Sequence, residues 1–126
     1  MSRRTQSLTP RRDAYPPALP PRRELLARLL AYVSADMDAF GREYVFASDL
    51  RNYAACALYD AHPLTGDPSD ASIIAVSVLI RDTYRDFGFR PLRARVARAV
   101  SIETAYYLPA LRQALIATID RPSSLA

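Results

Sequence analysis

Asp67-Pro-Ser-Asp-Ala-Ser-Ile-Ile-Ala-Val-Ser-Val-Leu-Ile-Arg-Asp-Thr-Tyr-Arg-Asp-Phe-Gly88 is the stretch whose reading decides the fold. It holds the densest apolar run in the chain. Ile73, Val76, Ile80, Tyr84 and Phe87 recur at steps of three and four, which places them on one face of a helix. Asp67 is a good N-cap residue, and Pro68 then stands at the first helical position, where its missing N–H costs nothing. Gly88 stands where a left-handed residue closes a helix. A buried strand over 73–80 is the rival reading, because Ile and Val are dense there. The end signals and the continuation of the spacing to Phe87 favour one central helix over 68–87.

Upstream of it, Pro63-Leu-Thr-Gly-Asp-Pro68 is the clearest loop of the body. Before that loop, Ser48 caps a helix over 49–62 whose inner face is Leu50, Tyr53, Ala54, Ala57 and Leu58. Residues 42–47 are a link, read as an extension of the preceding helix or a short extended piece. A first helix spans 21–40, with the apolar stripe Leu26, Leu29, Leu30, Val33, Met37 and Phe40 and Gly41 as its stop. Asp36 and Asp38, two apart, point to different sides of it and form no carboxylate pair; they read as a solvated helix end.

Downstream, Pro91 opens a fourth helix with Leu92, Val96, Ala99 and Val100 inward. Ser101-Ile-Glu-Thr-Ala-Tyr-Tyr-Leu108 alternates like a strand, but no partner strand is apparent, so it reads as more of the fourth helix. Pro109 starts a last helix to Asp120, with Leu111, Leu115 and Ile119 inward. The expected class is therefore all-α, a compact bundle of about five helices around the central one. It occupies residues 22–121, between a disordered Arg- and Pro-rich tail over 1–21 and a frayed end at 122–126.

The tail matters for the charge. The chain of 126 residues has 17 basic residues, all of them Arg, and a net charge of +4. Six of those Arg and a single Asp lie in 1–23, so the high isoelectric point belongs to the tail and the body is nearly neutral. An all-Arg basic set is also what a GC-rich coding sequence produces. Within the body, Arg81, Arg85, Arg90, Arg93, Arg95 and Arg98 form a basic segment. Asp36, Asp38, Glu43, Asp49, Asp60, Asp67 and Asp70 form an acidic one. On separate faces these would make the body dipolar; on one surface they would pair internally.

Little in the sequence points to catalysis. There is no Gly-rich phosphate loop, no His-Glu-x-x-His and no calcium-binding loop. One His and one Cys cannot build a transition-metal site without several converging carboxylates. His62 reads as a helix-end residue and Cys56 as a small buried apolar one. No catalytic residue, metal or cofactor is expected, and the chain does not read as an enzyme. There is neither an apolar stretch of membrane-spanning length nor a secretory signal, so a soluble intracellular protein is expected, without a membrane partner.

Two features point to binding. Pro17, Leu19, Pro20 and Arg22 fit a Pro-x-x-Pro-x-Arg ligand, which docks its prolines in an aromatic groove and orients itself by the Arg. The chain also has 8 Tyr and no Trp. Tyr and Arg anchor protein interfaces, and Tyr53, Tyr59, Tyr84, Tyr106 and Tyr107 exceed what so small a core should need. The expected role is a small helical adaptor or accessory protein, joined to another protein or to a second copy of itself. The alternative is a nucleic-acid-binding regulator that uses the tail and the Arg85–Arg98 face, since Tyr and Arg also stack on unpaired bases.

Overall fold

A computed structural model describes residues 19–61, 66–95 and 102–121. Most of the expected tail, His62, the first half of the 63–68 loop, Arg98 and the C-terminal segment 122–126 lie outside these residues. The described chain forms four helices and three short strands. They are α1 (Arg22–Phe40), β1 (Tyr44–Phe46), α2 (Ala47–Ala61), α3 (Asp70–Asp86), β2 (Leu92–Arg95), β3 (Ile102–Tyr107) and α4 (Leu108–Asp120). The protein is mostly helical, but it is not all-α.

The sheet is the main departure from the sequence reading. Its order is β1-β3-β2, antiparallel throughout. Leu92–Arg95, expected to open the fourth helix, and Ile102–Tyr107, expected to continue it, pair with each other instead. The partner strand that 102–107 needs is supplied twice, by β2 and by the 42–47 link, where Tyr44–Phe46 is extended. Four helices thus form among the described residues, because the start of the expected fourth helix, Leu92–Arg95, is a strand.

Each helix forms for local reasons, some of them different from those expected. Pro21 is the N-cap of α1, and Gly41 closes it at φ 67, donating its N–H to Met37. Phe40, expected inside, is 74% exposed, while Leu25 joins Leu26, Leu29 and Val33 in the core. The start of α2 is fixed by Asp49, whose carboxylate accepts the Phe46 N–H at 2.8 Å, so Ser48 lies within the first turn and is not the cap. Helix α3 confirms the helical reading of 73–80, but its cap is Ser69, whose hydroxyl accepts the Ser72 N–H at 3.2 Å. Asp67 and Pro68 precede the helix. Gly88 is left-handed at φ 98, as its position past α3 requires.

Helix α1 packs on α2 and α4, and α3 packs on the same two, so the four form a cycle of neighbours. The element most deeply enclosed is α4, not the 68–87 helix. Leu108, Leu111, Ala114 and Leu115 have no exposed surface, whereas Ile74 on α3 is 52% exposed. The densest apolar run in a sequence is thus not the innermost element of the fold. Val45 and Tyr106, opposite each other in the sheet, turn into the same core.

Candidate interaction surface

Side chains alternate across a strand, so the register sorts the sheet into two faces. Val45, Thr104 and Tyr106 lie on the inner one. Tyr106 meets Tyr84 of α3 edge to face, with ring centroids 5.1 Å apart. The Tyr84 hydroxyl accepts the N–H of Tyr107 at 3.2 Å, an amide that β2 does not reach because it begins only at Leu92. Tyr53, Tyr84 and Tyr106 are therefore core residues, while Tyr59 and Tyr107 are exposed, so the core takes up three of the five.

By register the outer face holds Tyr44, Phe46, Ala105, Tyr107 and Leu92, and also Ala94 opposite Glu103. Phe46 and Leu92 flank Ala105 across all three strands, and Tyr44 lies opposite Tyr107 with centroids 5.1 Å apart. Ala105 is buried between its large neighbours, but Tyr44 is 41% exposed, Tyr107 40% and Leu92 52%. A half-covered antiparallel sheet usually turns polar residues to water. Here Tyr44, Leu92 and Tyr107 are exposed and Phe46 is partly buried, and β1 and β2 are the edge strands of the described sheet.

The basic residues lie around the other side of the hairpin. Arg81, Arg90 and Arg93 are exposed and have no acidic partner among the described residues; Arg85 pairs with Asp82 at 2.6 Å. Arg93, opposite Thr104, shares the side of the sheet to which Tyr106 belongs. Burial raises the Tyr106 pKa, and the Arg81 and Arg85 guanidinium groups work against that rise. Arg95 has its backbone in β2.

The acidic segment is largely engaged. Asp36 is not a solvated helix end: it accepts the Tyr53 hydroxyl and, at 3.4 Å, a guanidinium N–H of Arg42. Arg42 also reaches Asp49 at 3.2 Å. Asp38 pairs with Arg112 of α4, and Asp60 accepts the Tyr32 hydroxyl. Burial, followed by the bond to a carboxylate, holds the Tyr32 and Tyr53 hydroxyls well above the usual tyrosine pKa. Asp36, Asp38 and Asp49 are thus paired internally and Asp60 is held by a tyrosine, while Glu43, Asp67 and Asp70 are exposed and, like Arg81, Arg90 and Arg93, have no ion-pair partner among the described residues.

Of the Pro-rich motif, Pro17 lies outside the described residues, Pro20 is buried, and Arg22 is the first residue of α1. Leu19, Pro20 and Arg22 border a groove on α3. Cys56, expected to be buried, is exposed on α2. Among the described residues no group of three His, Cys, Asp or Glu side chains is placed to hold a metal ion. None of their helices is long and apolar enough to cross a membrane. No protein-family model, curated protein or solved structure matches the chain.

The outer face was missed at the level of sequence because it depends on strand assignment. Tyr44, Phe46, Leu92 and Tyr107 are far apart in the chain and converge only through the β1-β3-β2 order. The one available signal was the alternation of 101–108.

Proposed function

We propose that the protein is a small, non-enzymatic adaptor or accessory protein that works by protein–protein contact through the outer face of its sheet. The observation that carries this reading is the exposed set of Tyr44, Leu92 and Tyr107 on a sheet whose two outer strands have no further strand partner among the described residues. Apolar surface gathered in one place is the usual mark of an interface, and Tyr is among its preferred anchors. The first partner to look for is another copy of the chain. Sedimentation of the full chain over a concentration series, beside Leu92→Glu, tests this: association lost in the variant supports self-contact. If both are monomers, a photo-crosslinking residue at position 92, with one at Arg51 on α2 as control, asks for a different partner in cells. Equal crosslinking at the two positions defeats the reading.

A second reading rests on Arg81, Arg90 and Arg93, exposed and without acidic partners among the described residues. Such a cluster suits the phosphates of a nucleic acid, and its binding would weaken steeply with salt. Fluorescence anisotropy of the full chain and of Arg90→Gln/Arg93→Gln on single-stranded and duplex probes decides it. Binding that is unaffected by the double substitution, or flat in salt, removes this role for the cluster.

A further inference from the structure

The groove between the start of α1 and α3 is separate from both surfaces. Its volume is about 290 Å³, and Leu19, Pro20, Leu25, Ala75, Val76 and Leu79 line it, with Arg22 as the one charged wall residue among the described residues. It exists because α1 and α3 sit across the cycle of helices from each other, and the Leu19–Pro20 segment bridges only part of the gap. Leu25 and Val76 are core residues, so the floor is rigid. The volume is close to the lower end of small-molecule sites, about 300 Å³.

The charge at this end is one-sided. Arg22 and Arg23 are exposed and have no acidic partner among the described residues. Glu24, the one acid of the first turn, is occupied by Arg28 at 3.1 Å. Pro21 offers no side-chain acceptor to the first N–H groups of α1, so the helix end adds to the positive field. An apolar groove whose one charged wall residue among the described residues is cationic suits an aliphatic chain ending in a carboxylate.

We propose that this groove binds a medium-chain anionic amphiphile, with the chain against Leu19, Leu25, Val76 and Leu79 and the carboxylate at Arg22. The residues that look like a Pro-rich ligand would then be walls of a receptor. The test is calorimetric titration of the full chain with hexanoate, octanoate and decanoate below their micelle thresholds. One-to-one saturation is expected, tightening about fourfold per added methylene until the groove is full. Arg22→Gln should weaken decanoate about two- to fivefold, the range of an exposed ion pair, and decanol should bind the native chain no better than decanoate binds that variant.

Ala75→Trp fills the groove from an exposed helix position and should abolish saturation. Leu19→Ala, outside every helix, should weaken binding and carries the test if the Trp variant does not fold. Absence of saturation, or unchanged affinity in Ala75→Trp or Leu19→Ala, overturns the site. Decanol equal to decanoate, with no effect of Arg22→Gln, overturns the anionic ligand.

Discussion

The Tyr53 hydroxyl, costly to bury alone, is given to Asp36, whose same Oδ2 also accepts from Arg42. Tyr32 does the same with Asp60, and the two rings stack 6.5 Å apart across α1 and α2. Nothing local announces these pairs, since Tyr53 and Asp36 lie on different helices and only packing brings them together. Tyr53→Phe should cost about 1–2 kcal/mol at neutral pH, read as a lower urea midpoint. The native pKa of Tyr32 and Tyr53 lies above the unfolded value of about 10, so the native state prefers the protonated hydroxyl. Their contribution is therefore complete below about pH 10 and declines as the pH rises beyond it. The chain has no Lys, so the alkaline limb belongs mainly to tyrosine. Stability should fall above about pH 10, and the gap between the native chain and Tyr53→Phe should narrow there. A gap that stays constant would mean that Tyr53 does not titrate late.

Among the elements, helices were legible where spacing and end signals agreed. Leu50, Tyr53, Ala54, Ala57 and Leu58 form the buried face of α2 as their spacing requires. Caps were less legible, because Asp67 and Ser69 are both good capping residues and only the chain path chooses between them. Ser69→Ala should cost about 1 kcal/mol. Asp67→Ala should stay within about 0.5 kcal/mol of the native chain by thermal or urea unfolding. The strands were the least legible. Leu92, Val96, Ala99 and Val100 carry a helical spacing, and the sheet that overrules it over 92–95 is visible only in three dimensions. Its central strand leans on Tyr84, which satisfies an amide that β2 leaves free. Tyr84→Phe keeps the ring packing against Tyr106 but orphans that amide. It should cost about 1–3 kcal/mol and speed hydrogen exchange at Tyr107 before it does so in α4.

For the molecule as a whole, burial decides which apolar residues matter, and local density is a poor guide to it. Leu111 on α4 has no exposed surface, while Ile74, inside the densest apolar run, is 52% exposed. Leu111→Ala should therefore cost about 2–5 kcal/mol in chemical denaturation. Ile74→Ala should change stability by about 0.5 kcal/mol or less. The cycle of helices also closes late. Helix α1 finds one of its two neighbours, α4, only after α2, α3 and the hairpin have been laid down. A chain leaving the ribosome carries Leu25, Leu26, Leu29 and Val33 past the exit long before that partner is translated. At roughly 5–20 residues per second the wait is several seconds. During that interval the first helix is a client for any holding chaperone, and a stalled nascent chain ending before residue 108 should be its most persistent form.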